Sequence, residues 1–335
     1  LSDRDFSLVS PFSTFNVDYI QSLTSIQDYA IVYSKIGHLT DTGDGEEGGT
    51  TLGTDWTVRE ILKWTRDYFK KGGIVQPRLE AEILLAHVLN VDRLHLYLSP
   101  DKPLTLDERA RFRETIKKRR SGVPLQHLIG EVSFFGLPFR VSKEALIPRP
   151  ETEELVEKAL GLAPRDREIT CLDLGTGSGV LAICLARYLP LARVTAVDLS
   201  AQALTLAREN AELNGVYDRI TFLESDWFTQ IEGKFDLIVS NPPYIAEEEL
   251  VALSVEVRQH EPRVALDGGK GGTEKIDALT RDVREHMRSG ARLLLEIGNG
   301  QGTIVVERIT QVGLVEARVE RDLAGKERFV IARCP

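Results

Sequence analysis

From residue 169 onward the apolar positions of this chain gather into seven short runs: 169–174, 193–197, 219–223, 235–240, 291–297, 314–319 and 327–332. Longer stretches of helical periodicity separate them. Strands alternating with helices predict a parallel sheet covered by helices on both faces. Ahead of this region the pattern changes. Thr57-Val-Arg-Glu60 has the form of a capping box, with Ile61, Leu62, Thr65 and Phe69 following at helical spacing and Gly72-Gly73 as a stop. Pro77 opens a second helix, with Leu79, Ile83, Leu84 and Val88 on its core side. Thr105-Leu-Asp-Glu108 caps a third, which ends in Lys117-Lys118-Arg119-Arg120. Residues 129–148 alternate apolar and polar about Gly136-Leu-Pro and predict a β-hairpin. Residues 1–54 hold eight acidic and two basic residues and end in the Gly- and acid-rich stretch Asp41 to Thr50. The expected organisation is therefore a flexible acidic extension (1–54), a helical domain (55–128), a hairpin linker (129–148) and an α/β domain (149–335).

Composition changes this picture little. With 42% hydrophobic and 28% charged residues among 335, the chain is an ordinary soluble globular one. A net charge of −9 gives no global basic surface for nucleic acid, so no stable nucleic-acid binding is expected. No apolar run approaches the roughly 20 residues that span a bilayer, so no membrane association is expected, and the N-terminus lacks a signal-peptide layout. Cys171, Cys184 and Cys334 sit in apolar contexts without C-x-x-C spacing, which reads as buried reduced thiols in a cytoplasmic protein. None of the six histidines has metal-ligand spacing, and no metal is expected. One local feature stands out: residues 109–120 hold seven bases and one acid. Such a run is either a solvated helix end that suits the dipole or a docking face for an acidic partner or RNA.

Two motifs carry chemistry. Phe235-Asp-Leu-Ile-Val-Ser delivers Asn241 into the stiff turn Pro242-Pro243, followed by Tyr244. Proline has fixed φ and no N–H, so the carbonyls here are rigidly aimed. Asn241 Oδ1 and the Pro242 carbonyl can each accept one hydrogen of an NH₂ group, with Tyr244 against its flat face. Upstream, the apolar run 169–174 leads into Gly175-Thr176-Gly177-Ser178-Gly179 and then an apolar helix from Val180. The spacing is G-x-G-x-G, not the G-x-G-x-x-G of dinucleotide folds. A second strand ends in Asp198, placed to accept both hydroxyls of a ribose. An adenosine ligand without a pyrophosphate fits, and S-adenosylmethionine fits best. The same acceptor pair serves a protein glutamine or the exocyclic NH₂ of adenine N6 or guanine N2. A non-catalytic adaptor that only binds S-adenosylmethionine is a third reading, disfavoured by the intact Asn-Pro-Pro-Tyr.

Several separated motifs also stand in order: Leu146-Ile-Pro-Arg-Pro-Glu-Thr-Glu153, Asp173 to Gly179, Asp198, Asp226-Trp227, Asn241 to Tyr244, Glu261-Pro262 with Ala265-Leu266, and Leu294-Leu-Glu-Ile-Gly298. In these the chain, from about residue 56 to its end, closely resembles the peptide chain release factor N5-glutamine methyltransferases. The resemblance implies a seven-stranded, Rossmann-like methyltransferase core with the last strand antiparallel. It implies that Gly175 to Gly179 pass under the methionine part of S-adenosylmethionine, Asp198 holds the ribose, Asp226 approaches the adenine amino group and Trp227 packs on the ring. It implies that Asn241, Pro242, Pro243 and Tyr244 hold the glutamine of the Gly-Gly-Gln tripeptide of class 1 release factors. Asn241 is expected to border the cofactor as well, and Asn241 with Pro242 to carry the catalysis. One glutamine offers too little surface to single out a protein, so the helical domain is expected to recognise the substrate.

Overall fold

The computed structural model describes residues 56–335, and the acidic segment 1–54 lies outside them. The described residues begin with five helices, α1 (Val58–Lys71), α2 (Pro77–Leu89), α3 (Arg93–Leu98), α4 (Leu106–Arg120) and α5 (Leu125–Ile129). Both expected capping boxes form. The Thr57 and Thr105 hydroxyls accept from the backbone N–H of Glu60 and Glu108, and each glutamate accepts in return from the capping residue's N–H. Four orphan amide donors are satisfied this way before any tertiary contact is made. The helices close over a core of their own, centred on Phe69, Leu84, Leu85 and Phe112.

A hairpin follows, β1 (Glu131–Phe134) and β2 (Leu137–Arg140), turning at Phe135 and Gly136, both with positive φ. Two left-handed central residues match the right-handed twist of the strands. Phe134 and Phe139 meet edge to face and are buried, while Phe135 packs on Tyr188. Glu153 secures the turn by accepting the Phe135 N–H at 2.6 Å.

The remainder alternates helices and strands: α6 (Pro150–Leu162), β3 (Ile169–Leu174), α7 (Val180–Tyr188), β4 (Ala192–Asp198), α8 (Ala201–Leu213), β5 (Ile220–Glu224), β6 (Phe235–Ser240), α9 (Val255–His260), α10 (Glu274–Asp282), β7 (Met287–Glu296), α11 (Gly302–Gln311), β8 (Val315–Arg321) and β9 (Glu327–Arg333). All seven apolar runs are strands of one sheet, in the order β5-β4-β3-β6-β7-β9-β8. Neighbours from β5 to β7 are parallel, and β9 runs antiparallel between β7 and β8. The core divides by strand alternation. Cys171, Leu237, Val239, Leu294 and Ile331 face one cluster with α6 and α7. Leu172, Leu174, Ile238, Leu293 and Leu295 face another with α10 and α11. Residues buried on both faces explain why these strands read as continuous apolar runs. The three cysteines are free and buried. Among the described residues no helix is long and apolar enough to cross a membrane.

The basic run 117–120 divides in a way its sequence does not show. Lys117 and Lys118 are exposed, Lys117 paired with Glu114. Arg120 lies over the Tyr68 ring. Arg119 is 4% exposed and joins Glu80 on α2 to Glu256 on α9, at 2.5 and 2.6 Å. It therefore ties the helical front to the α/β part rather than facing solvent. Removing a buried arginine strands its partners, which costs about 3–5 kcal/mol. Because Glu256 keeps some solvent access, Arg119→Met is expected near the lower end, about 3 kcal/mol in urea unfolding. Lys118→Met should change stability by less than about 0.5 kcal/mol. Equal effects of the two substitutions would contradict the tie.

Candidate functional site

In a sheet of this order the chain runs outward from β3 through β4 to β5, then returns to lay β6 on the other side of β3. The crevice outside their carboxyl ends is the natural place for a ligand. Leu174 pairs with Val197 of β4 on one side and Ser240 of β6 on the other. The Ser240 hydroxyl donates to the Leu174 carbonyl at 2.6 Å, holding the two strand ends together. The glycine loop and Asn241, which follow these ends, thus stand side by side.

An open cleft of about 1100 Å³, mouth included, lies there. Gly175, Thr176, Gly177, Ser178, Asp198, Asp226, Trp227, Asn241 and Pro243 all line it. Gly179 ends the loop as the N-cap of α7 and does not line the cleft. Pro242 is buried and, with Tyr244, does not line this cleft. Tyr244 turns its hydroxyl inward to Glu296 Oε1 at 3.3 Å.

Three alternate left-handed glycines shape the loop, with φ of 71° at Gly175, 55° at Gly177 and 88° at Gly179. Asp173 supports it from below: its Oδ2 accepts the Thr176 hydroxyl at 2.6 Å and the Ala182 N–H at 3.0 Å. Asp173 Oδ1 is buried without a partner, and burial pushes this carboxyl up to about 7. Asn210, fully buried on α8, donates to the Ser178 carbonyl at 2.9 Å and bonds both backbone groups of Arg140, so the hairpin is clamped to the loop. Asp198 accepts the Gly177 N–H at 2.8 Å and the Ser200 N–H at 2.9 Å. Two amides leave its remaining lone pairs for a ligand, and burial raises its pKa. Trp227 takes a left-handed φ of 48°, uncommon for a bulky residue. Ser225 holds that conformation by donating to the Trp227 carbonyl at 3.0 Å. The ring stands over Gly175, where an added Cβ would come within 4.0 Å of it.

The other wall is built from distant segments. Glu261, 7% exposed, accepts the Ile147 N–H at 3.2 Å and pairs with Arg149 at 2.5 Å. It thereby joins the segment before α6 to the segment after α9, and Leu146, Pro148, Pro262 and Ala265 line the cleft from these two. Asn241 Nδ2 donates to the Thr152 hydroxyl at 3.0 Å. That hydroxyl donates to Glu296 Oε2 at 2.8 Å. Gln301 steadies the turn, donating from Nε2 to the Tyr244 carbonyl at 2.9 Å. Thr152, Asn210, Ser225 and Glu296 carried no assigned role in the sequence reading. The one available signal was Glu296 itself, an acid inside the apolar run Leu293-Leu-Leu-Glu-Ile297. Buried acids are rare without a partner.

The cleft fits the ligand expected from the sequence. A glycine cradle open to it, a flat indole and an acceptor carboxylate suit a nucleoside. The carboxyl groups of Asp198 and Asp226, both in the lining, suit a cation. Asp198 would meet the ribose hydroxyls, and Trp227 the adenine ring.

Comparison with known proteins agrees with both parts of the chain. Residues 60–130 match the family model described as PrmC N-terminal domain, and residues 155–269 match that of the methyltransferase small domain. The chain is 41% identical over 290 residues to the release factor glutamine methyltransferase of Rhodopirellula baltica, covering 84% of this chain and 97% of that one. It is 41% identical over 279 residues to the protein of the same name from Geobacter sulfurreducens, covering 83% and 97%. The Chlorobaculum tepidum protein of that name is 43% identical over 278 residues, covering 80% and 94%.

Two glycines separate backbone strain from crowding. An L-residue in the left-handed region costs about 1–2 kcal/mol, which applies to Gly177→Ala and Gly179→Ala alike. A Cβ on Gly179 would also sit 3.0 Å from Ile183 and 3.1 Å from Ala207, whereas one on Gly177 finds only Ala145 at 4.0 Å. Overpacking adds about 1–3 kcal/mol. Gly179→Ala is therefore expected to be the less stable protein in thermal or urea unfolding. The reverse order would show that the loop does not pack as described.

Proposed function

The chain belongs to the release factor glutamine methyltransferases, and on that premise we propose that it methylates the side-chain amide nitrogen of the Gly-Gly-Gln glutamine in class 1 peptide chain release factors. The observation that carries this reading is the setting of Asn241. Its Nδ2 is engaged by Thr152, so Oδ1 is left to accept from a group in the cleft. The Pro242 carbonyl in the adjoining turn is the second acceptor.

S-adenosylmethionine supplies an electrophilic methyl group on a positively charged sulfur. A glutamine nitrogen is a poor nucleophile because its lone pair is shared with the carbonyl. As the nitrogen becomes tetrahedral, positive charge grows on its two hydrogens. Asn241 Oδ1 and the Pro242 carbonyl stabilise that charge and hold the line of attack, by preorganised electrostatics and positioning. An N-alkylated amide cation sheds its proton readily, so no strong base is required. Accordingly, no histidine lines the cleft. Gly175 to Gly179 pass under the methionine part, Asp198 holds the ribose and Asp226 lies near the adenine edge.

The helical domain selects the protein substrate, because the acceptor pair grips one amide only. Of the four bases at 117–120, Lys117 and Lys118 remain exposed to contribute, since Arg119 and Arg120 are held within the fold. Action on release factors supports a cytoplasmic location.

Two substitutions test the site. Asn241→Ala should slow methyl transfer by at least about 100-fold, the loss of one oxyanion-hole-type contact. Its affinity for S-adenosylmethionine should stay within a few-fold. Near-wild-type single-turnover rates would remove Asn241 from the chemistry. Asp198→Ala should weaken S-adenosylmethionine binding by about 1–3 kcal/mol, the range for unpaired polar groups. Unchanged affinity by calorimetry would exclude Asp198. Incubation with labelled S-adenosylmethionine and, separately, release factor, total RNA or DNA decides the acceptor. Label is expected in the release factor, and label in a nucleic acid alone would overturn the proposal.

A further inference from the structure

We propose that Thr152 and Glu296 are positioning residues: together they set the polarity of the Asn241 amide and keep its Oδ1 turned toward the substrate nitrogen. This rests on the assignment of Asn241 Oδ1 as acceptor.

An asparagine side chain has two ends of nearly the same shape and opposite hydrogen-bonding character. Flipped, Asn241 would offer NH₂ to the NH₂ of glutamine, donor against donor. Something must exclude that state, and the hydrogen-bond chain behind Asn241 does so. Arg328 donates to the Tyr244 hydroxyl at 3.4 Å, and Tyr244 donates to Glu296 Oε1 at 3.3 Å. Thr152 donates to Glu296 Oε2 at 2.8 Å. An ionised carboxylate accepts only. The single proton of Thr152 is thereby committed to Glu296, and its oxygen presents lone pairs alone to Asn241. Only the NH₂ end of Asn241 can meet them, as the 3.0 Å contact shows. Thr152 is 3% and Glu296 1% exposed, so bulk water cannot readily substitute for either partner.

The elements come from far apart: Thr152 from α6, Glu296 from the end of β7, Tyr244 from the turn after β6 and Arg328 from β9. A glutamine at 296 would occupy the same volume with less desolvation cost. It would not impose one polarity, because its own amide can face Thr152 with either end. A carboxylate does what an amide cannot.

The same logic makes the alignment depend on ionisation. Protonated Glu296 can donate to Thr152, which can then turn its proton onto Asn241 Oδ1 and reverse the chain. Burial pushes the Glu296 carboxyl up to about 7. Glu151 on α6 acts in the same direction, while Arg328, the Tyr244 hydroxyl and Thr152 favour the charged form. A sulfonium bound in the cleft favours it further. The methylation rate should therefore rise with pH along an acid limb whose midpoint lies at or below about 7.

The test uses the full chain, labelled S-adenosylmethionine and intact release factor, with Asn241→Ala as reference. Thr152→Val keeps the shape and removes the hydroxyl. It is expected to lower kcat by at least about tenfold, the scale of a misplaced reacting group. KM and S-adenosylmethionine affinity should stay within about threefold, and Thr152→Ser, which keeps the hydroxyl, should recover most of the rate. Glu296→Gln should lose the acid limb. A Thr152→Val enzyme with kcat within twofold of wild type, or changed in KM alone, would overturn the inference while an inactive Asn241→Ala left the acceptor assignment standing. An acid limb retained in Glu296→Gln would overturn it as well. A fully active Asn241→Ala would instead remove the assignment on which it rests.

Discussion

Pairing of β3 with β6 is the constraint on which the rest of this molecule depends. It is a parallel pair between strands more than sixty residues apart, so the intervening chain must cross over and return. Its register sets Leu174 against Ser240, and the Ser240 hydroxyl fastens the two ends. A slip of one residue would turn both apolar faces of β6 the wrong way. It would also part the glycine loop from Asn241. One register thus serves the core and the chemistry together, and the large buried faces on either side of the sheet hold that register in place.

Around this junction the fold spends stability on buried polar groups. Asp173 holds the loop from beneath, Glu261 joins the two segments of the far wall, and Glu296 anchors Thr152 and Tyr244. Each sits where a hydrophobic residue would be less costly. Each also joins pieces of chain that have no other reason to meet in one geometry. Burial pushes two of these carboxyls, Asp173 and Glu296, up to about 7. Glu261 has Arg149 as a direct partner. The site is therefore rigid through directed hydrogen bonds rather than through packing alone. Trp227 belongs to the same pattern, a left-handed backbone held by Ser225 so that a flat ring stands over the glycine loop.

Local physics was legible in the sequence wherever neighbours along the chain decide the outcome. The capping boxes at Thr57 and Thr105, the start at Pro77, the turn at Gly136 and the seven apolar runs depend on contacts within a few residues or on burial of both strand faces. So do the glycine loop and the Asn241-Pro-Pro-Tyr244 turn, whose residue types restrict the backbone on their own. What escaped were the partners. The basic run ending α4 read as one surface feature, yet Arg119 is buried because Glu80 and Glu256 come to it from 39 and 137 residues away. Tyr244 read as a face for the substrate amide, yet its hydroxyl is drawn inward by Glu296.

By itself, then, the sequence determined the elements, the alternation that makes a doubly covered sheet, and the residue types able to cradle an adenosine ligand and grip an NH₂ group. Those follow from backbone freedom, side-chain chemistry and period, which are properties of short stretches. Only the tertiary structure decided which end of Asn241 faces the cleft, that Thr152 and Glu296 stand behind it, and that Asn210 clamps the hairpin to the glycine loop. Hydrogen-bond polarity is a property of a partner set, and these partners lie up to 144 residues apart in the chain. No local pattern encodes which of them will meet, because the meeting is fixed by the register of the sheet.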